Sequence, residues 1–410
     1  MHIHQLQNDT VSNSVNHRIP PPFLPEELIR EILSRLSVKS LLQFKRVCKL
    51  WKTLISDSQF AKSHLQISRI TTQQLVFSVI EEPYKIASFS LEPLFENSST
   101  SVEPVTLRSM KNNQRCIIGS CNGLLCVFNS SQNTVKLWNP SIRFKSNKSP
   151  QAVSPDWHIM HYGFGYDQVN EKYKVLLVAR NKYNFTQSLT KTYTFGENIW
   201  KTIPNFSFRP TKRIGKFVNG TLSWMVYKGG PNIFDQFMNI FSFDLEKETY
   251  REMLLPQIDG DNVHIHRTLY VLSDCLCVWD VNGVVWSMKE YGVVESWTKL
   301  LIIPYKKIIL QNQLYYVEPL FISDNSVLLM RTKFSQFHLL NLFRNNANRT
   351  SFVEPLVISE NGGVTLIPES SSELVLYNSN SGCLDPLITI TSTLGLDLHI
   401  HCESLVSLQW

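Results

Sequence analysis

The stretch Leu24-Pro-Glu-Glu-Leu-Ile-Arg-Glu-Ile-Leu-Ser-Arg-Leu-Ser-Val-Lys-Ser-Leu-Leu-Gln-Phe-Lys-Arg-Val-Cys-Lys-Leu-Trp-Lys-Thr-Leu-Ile55 carries a helical period. Pro25 suits a first helical position, where its missing N–H costs nothing, and Glu26 and Glu27 then face the positive end of the helix dipole. Leu28, Ile29, Ile32, Leu33 and Leu36 form one apolar stripe. Ser37-Val38-Lys39-Ser40 interrupts it, and Leu41 and Leu42 resume it. Phe44, Val47, Cys48, Trp51, Leu54 and Ile55 trace a second stripe, with Lys45, Arg46, Lys49 and Lys52 on the opposite side. The pattern predicts a helical hairpin or trihelical unit over 23–65. A unit of about 40 residues buries too little surface to be secure alone. It also carries more large apolar side chains than one internal face can use. The surplus either packs on the following domain or enters a helix-in-groove contact with another chain; pattern alone leaves both open.

The same residues resemble an F-box. The Leu24-Pro25 opening, the Ile32-Leu33 pair, the Lys39-Ser40-Leu41 turn and Val47-Cys48-Lys49 with Trp51 stand in the family's register. Ser37 departs from it, since the family often has proline there. The resemblance implies docking to a Skp-family adaptor and, through it, to the cullin and RING subunits of a Skp–cullin–F-box ubiquitin ligase. The residues expected to form that dock are Leu24, Pro25, Leu28, Ile29, Ile32, Leu33, Leu41, Val47, Cys48, Trp51 and Leu54. Some of them must serve the internal core instead.

From residue 73 to 410 the period changes to two. Strand-like runs rich in Val, Ile, Phe, Tyr and Trp recur between Asn, Gly, Asp and Ser turns, and no amphipathic helix is evident after His64. A repeat is visible around Phe89, Trp138, Phe195, Phe243, Met288, Leu342 and Tyr377, with a mean spacing of about 48 residues, between the WD-type and kelch-type periods. Blades of that size cover both faces only by stacking around a ring. The chain is therefore expected to be mainly β with a small all-α N-terminal unit: a kelch-like β-propeller of six or seven blades following the helices. An irregular array of β-sandwiches is the alternative. Asn-Gly pairs at 122, 219, 282 and 361 fit tight hairpin turns. The alternating tail from Leu398 to Leu408 is a candidate strand to close the ring on early sequence.

Several further motifs resemble the plant F-box-associated domain. They are Gly119-Ser-Cys-Asn-Gly-Leu-Leu-Cys126, Leu137-Trp-Asn-Pro-Ser141, Tyr162-Gly-Phe-Gly-Tyr-Asp167 with Lys172-Tyr-Lys-Val175, Met288-Lys-Glu-Tyr-Gly292 with Ser296-Trp-Thr-Lys299, and Glu403-Ser-Leu-Val-Ser407. The resemblance implies a non-catalytic substrate receptor that holds a target protein on its propeller for ubiquitination and degradation. A non-degradative interaction scaffold is the alternative. It names no target.

Composition bounds the remainder. With 43% hydrophobic and 18% charged residues in 410, the chain is a folded protein, not a disordered one. The segment 1–22 is polar and expected to be a disordered tail without a signal sequence. No apolar run is long enough to span a membrane. Eight cysteines are too few for a disulfide scaffold and fit free thiols of the cytoplasm or nucleus. A net charge of +6 is dilute, and no basic–aromatic interleaving accompanies the Lys45 to Lys52 side, so no nucleic-acid partner is expected. His-Ile-His occurs at His2/His4, His264/His266 and His399/His401; residues two apart on a strand share a face. No further ligand is placed to complete a metal site, so these read as tail, surface or rim histidines. Neither a phosphate loop nor a nucleophile elbow is present, no carboxylate pair can be nominated for propeller glycosidase chemistry, and no cofactor is expected.

Overall fold

The computed structural model describes residues 24–68, 72–79, 84–96, 104–110, 115–205, 208–229, 236–257, 267–280, 283–303, 315–334, 356–358, 364–366, 372–381, 383–390 and 394–407. The expected tail 1–22, His2, His4, His264, His266, Leu342 and the pair Asn361-Gly362 lie outside the described residues.

Four helices open the chain: α1 (Glu26–Ser34), α2 (Val38–Phe44), α3 (Lys49–Ser56) and α4 (Ser58–Ser68). The second apolar stripe is thus not one helix. The chain turns at 45–48, and Cys48 caps α3 by accepting the Trp51 amide on its sulfur at 3.5 Å. Asp57 then starts α4, its carboxylate accepting the Phe60 amide at 2.8 Å. Ser37 caps α2 through the Ser40 amide at 3.2 Å and has φ −62°, the value a proline would impose, so this departure changes the cap and not the chain path. His64 is buried, and its Nε2 donates to the Leu36 carbonyl at 2.7 Å, tying α4 to the turn after α1.

The rest is a six-bladed propeller. Blade 1 combines β1 (Gln73–Val79), β2 (Tyr84–Ser90) and β3 (Val105–Met110) with the last strand, β27 (Leu394–Cys402). Blade 2 is β4 (Arg115–Cys121), β5 (Leu124–Asn129), β6 (Thr134–Asn139) and β7 (Phe144–Lys145). Blade 3 is β8 (Trp157–Asp167), β9 (Lys172–Asn181), β10 (Ser188–Thr194) and β11 (Trp200–Ile203). Blade 4 splits its first strand into β12 (Arg209–Pro210) and β13 (Lys216–Val218), followed by β14 (Thr221–Gly229), β15 (Gln236–Asp244) and β16 (Thr249–Met253). Blade 5 is β17 (Thr268–Leu272), β18 (Cys275–Trp279), β19 (Val284–Met288) and β20 (Trp297–Ile302). Blade 6 is β21 (Tyr315–Ile322), β22 (Val327–Phe334), β25 (Ser372–Asn378) and β26 (Cys383–Ile390); β23 (Leu356–Ile358) and β24 (Val364–Leu366) form a separate hairpin between its second and third strands. The inner strands β27, β4, β8, β13, β17 and β21 each neighbour the next and close on themselves.

Closure is antiparallel pairing of β27 with β1, Gln74 opposite His401, Leu75 opposite Ile400 and Val76 opposite His399. The alternating tail therefore does supply the closing strand. Six of the repeat anchors fall in or directly after the third strand of a blade; the seventh, Leu342, falls in the long connection within blade 6. That insertion made the period look shorter, and with Leu342 removed the spacing is about 58 residues and the blade number six. Asn122-Gly123 and Asn219-Gly220 take positive φ at both positions, as two-residue hairpin turns require. Residues Leu269 to Trp279 form a hairpin turned by Ser273 and Asp274, both with positive φ. A five-residue helix, α5 (Glu92–Glu96), interrupts the otherwise β character after His64.

The recurrent motifs prove to be joints. In Tyr162-Gly-Phe-Gly-Tyr-Asp167, glycines alternate with aromatics on β8, and a Cβ at Gly165 would lie 2.2 Å from the Phe217 ring of blade 4. Only glycine allows the two blades this approach. At the end of β8, buried Asp167 holds Lys174 Nζ at 3.1 Å, and Glu248 of blade 4 lies 3.3 Å from the same ammonium. Burial pushes the Asp167 carboxyl up, but its hydrogen bonds from Asn170 and Lys174 outweigh this and hold it below the ordinary range. Asn139, from Leu-Trp-Asn-Pro, is fully buried and donates to the Ser404 carbonyl (3.0 Å), Ser404 Oγ (2.9 Å) and the Val406 carbonyl (2.9 Å). Gly123 (φ +72°) underlies the same segment; a Cβ there would sit 2.0 Å from Ser404 Oγ. Leu405 and Val406 belong to an apolar core that runs without a break from Leu33, Val38, Leu41, Leu54, Ile55 and Phe60 of the helices into blades 2 and 3. Part of the surplus apolar surface of the helical unit is thus consumed by the following domain.

Candidate functional site

The structure sorts the eleven expected docking residues by exposure. Leu33, Leu41 and Leu54 are 1%, 0% and 4% exposed and form the helical core, so they leave the docking set. Ile29 and Trp51 are half-buried against that core, Trp51 edge-on to Phe44 at 5.3 Å. Leu24, Leu28 and Ile32 are 45%, 47% and 53% exposed and recur every fourth residue along α1; Pro25 at its start is exposed too. This is one ridge of a wide apolar arc whose neighbouring ridge, Ile29, Leu33 and Leu36, faces inward. Val47 is 61% exposed, and Cys48 beside it is exposed while capping α3. Sequence reasoning passed over Leu50, also exposed, because it lies off the stripe that α3 continues from α2.

The basic residues once placed on one helical side are divided. Lys45 and Arg46 sit in the turn, and Lys49 and Lys52 on α3. Burial, then the charge of Lys52, lowers the Lys45 ammonium pKa. Val38, Lys39, Leu42, Gln43 and Arg46 line a cleft of about 420 Å³ whose far wall is Ser141 and Glu403 of the propeller. Lys62 of α4 pairs with Glu171 in the β8–β9 turn at 2.7 Å. Ser141 lies in the β6–β7 turn, and Glu403 follows β27. All three contacts lie at one end of the strands, so the helices occupy the face made by first-to-second and third-to-fourth strand turns. The opposite face, made by second-to-third strand turns and blade-to-blade connections, is turned away from them.

Midway along the inner strands Glu318 accepts a hydrogen bond from Arg331 of the neighbouring strand. Burial raises its carboxyl pKa, yet Arg331, Lys216 and Lys212 together bring it below the ordinary range. Lys216 lies 5.8 Å from the centre of the Tyr270 ring, and burial lowers its pKa. Among the described residues the inner surface thus gathers cations around Glu318, not the paired carboxylates that glycoside hydrolysis uses.

His399 and His401 are not rim residues. His399 Nε2 donates to the Ile117 carbonyl at 3.1 Å, and His401 Nδ1 meets Ser120 Oγ at 3.3 Å, both on β4. Burial holds each imidazole neutral, with pKa pushed down to about 4. Among the described residues no group of three or more His, Cys, Asp and Glu could hold a metal ion. Cys48, Cys116, Cys121, Cys126, Cys275, Cys277 and Cys402 are free thiols. Burial pushes Cys277 up to about 11 and Cys126 well above the ordinary thiol, the reverse of what a nucleophile needs. No described helix is long and apolar enough to cross a membrane.

A small helical unit with an exposed apolar ridge, fused to one face of a six-bladed ring, defines a two-part helix-and-propeller architecture. The F-box domain family matches residues 22–63, and the F-box associated beta propeller domain family matches residues 74–271. F-box/kelch-repeat protein At3g23880 of Arabidopsis thaliana is 32% identical over 325 residues, covering 76% of this chain and 85% of that one. F-box protein CPR1 of the same plant is 27% identical over 331 residues, covering 74% and 78%. F-box protein At3g07870 is 28% identical over 306 residues, covering 67% and 71%. The chain belongs to this family of plant F-box proteins with an F-box-associated β-propeller.

Proposed function

We propose that the chain is the substrate-recognition subunit of a Skp–cullin–F-box E3 ubiquitin ligase, working in the cytoplasm or nucleus and catalysing no bond-making step itself. The observation that carries this is the exposed ridge Leu24, Leu28, Ile32, with Val47 and Leu50, on a unit whose core is otherwise complete. Side chains of this size, about half exposed, gain on the order of 1 kcal/mol each when the rest of their surface is covered, which favours cover by another chain. The Skp-family adaptor covers the ridge and links the chain to cullin and RING subunits. A target held on the propeller face away from the helices then meets the charged conjugating enzyme at high effective concentration, and transfer follows from proximity.

The test is capture of a purified plant Skp-family adaptor by the full chain, followed by target half-life in cells with and without residues 24–68. Capture by the wild type, its loss in Leu28→Asp/Ile32→Asp, and a longer target half-life without the helices support the proposal. A folded wild-type chain that ignores the adaptor overturns it.

A further inference from the structure

The face turned away from the helices carries a concentration of positive charge on blades 3 and 4. Arg180 is the penultimate residue of β9 and Lys182 follows that strand; Arg209 is on β12, and Lys212 and Arg213 lie in the bulge between β12 and β13. All five are exposed. Arg180 and Arg213 belong to one neighbourhood: Arg180 pairs across the sheet with His158, Arg213 Nη2 donates to the Ile159 carbonyl at 3.0 Å, and the Arg213 guanidinium lies 5.5 Å from the Tyr162 ring centre. His161 lies between them. Burial lowers its pKa first, and the charges of Arg213 and Arg180 lower it further. Asp156 also lies on this part of the face, its backbone carbonyl accepting the Lys182 amide at 2.8 Å, and Glu252 of β16 pairs with Lys228 at 2.8 Å. Arg180, Lys182 and Arg209 thus present exposed cations on this face, while the helical side of the same blades carries Asp167, Glu171, Glu197, Asp244, Glu246 and Glu248.

Two aromatic rings stand beside this charge. Tyr183 and Phe185, in the β9–β10 turn, are 82% and 72% exposed. The turn is held by two side-chain-to-backbone motifs. Asn181 Oδ1 accepts the Tyr183 and Asn184 amides at 2.8 and 3.0 Å, and Asn184 Oδ1 accepts the Thr186 amide at 3.1 Å. Large rings displayed on an ordered turn lose little conformational freedom on binding, the property of a contact anchor.

We infer that the blade 3–4 surface of Arg180, Lys182, Arg209, Tyr183 and Phe185 recognises an acidic polypeptide segment, rich in Asp and Glu with an apolar side chain among them, on the target protein. The inference rests on the proposed receptor function and specifies the chemistry of its target. The cations supply steering and register, and the rings take the apolar side chain. A single-stranded nucleic acid would also meet charge and rings, but the receptor function calls for a protein with a lysine to modify.

The experiment uses the full-length chain and fluorescein-labelled twelve-residue peptides read by anisotropy. One alternates Asp and Glu around a central Leu-Phe; its control has Asn and Gln in place of every acid; a twelve-nucleotide oligouridylate is the third probe. The acidic peptide is expected to bind at least tenfold more tightly than the amide control, and to weaken at least tenfold between 50 and 300 mM salt. Arg180→Glu/Lys182→Glu and Arg209→Glu should each weaken it at least threefold, and Tyr183→Ser/Phe185→Ser should do so at constant salt dependence. All these side chains are exposed, so folding is retained. Equal binding of acidic and amide peptides, tighter binding of the oligouridylate, or indifference to the charge reversals overturns the inference. Adaptor capture by the same variants reports separately on the receptor function: a chain that binds the acidic peptide but not the adaptor defeats that function and leaves this surface standing.

Discussion

Asn139 Nδ2 donates to the Ser404 carbonyl at 3.0 Å, joining the third strand of blade 2 to the segment that follows the closing strand. The same amide reaches Ser404 Oγ and the Val406 carbonyl, all in a buried site. Asn139→Ala leaves these acceptors without their donor and opens a small cavity, and is expected to cost about 2–4 kcal/mol. Because Leu405 and Val406 share a core with the helices, the loss should be seen in both parts of the molecule. Urea unfolding followed by tryptophan fluorescence checks this; a midpoint equal to the wild type's refutes the clamp.

The two ridges of α1 should respond differently to substitution. Leu28→Asp/Ile32→Asp changes exposed positions and is expected to shift stability by less than about 1 kcal/mol while abolishing adaptor capture. Leu33→Ala and Leu41→Ala empty core positions and are expected to cost about 2–5 kcal/mol each. Circular dichroism melts beside a pull-down separate the effects. An intact dock in the double aspartate variant, or a stability loss as large as that of Leu33→Ala, contradicts the assignment.

Acid should unfold this protein partly through β27. In the unfolded chain an imidazole takes up its proton near pH 6.5, whereas His399 and His401 stay neutral in the fold down to about pH 4. Between those values the unfolded state binds more protons, so stability is full above pH 6.5 and falls as pH drops toward 4. For His401 alone the loss amounts to about 3 kcal/mol. His401→Gln removes the titration and should flatten the slope of melting temperature against pH in that window. An unchanged slope would show that the imidazole is not held neutral.

The Asp167–Lys174–Glu248 group bridges blades 3 and 4, and the first two are nearly inaccessible to water. Lys174→Met preserves length but strands the Asp167 carboxylate in a buried site. The expected cost is about 3–5 kcal/mol. The double variant Lys174→Met/Asp167→Leu should recover part of it, since two apolar groups leave no uncompensated charge. Failure of the second change to help would mean that packing, not charge, dominates here.

How much of this could be read in advance follows from the range of the forces involved. Helical stripes and β alternation are local, so the two regions and their order were legible, as was the closing role of the tail. The break between α2 and α3 was not, because Cys48 caps a helix as a weak acceptor and gives little signal beside the run of apolar positions. Blade number was obscured by the connection within blade 6, where Leu342 mimics a repeat anchor. Docking residues were identified as a set, but which of two adjacent ridges faces outward depends on α4 and His64, whose contact with Leu36 spans the unit. The cations of blades 3 and 4 are dispersed from Arg180 to Arg213 in sequence, and only the ring brings them onto one face.

Ring closure by β27 also sets an order on synthesis. The docking helices leave the ribosome hundreds of residues before the strand that seals blade 1, so until then β1 presents an unpaired edge. On the proposed function, a premature stop beyond blade 3 and ahead of Leu394 leaves the docking helices and the blades they pack on without a closed ring, so such alleles should occupy the ligase without cargo and act dominantly over an intact copy.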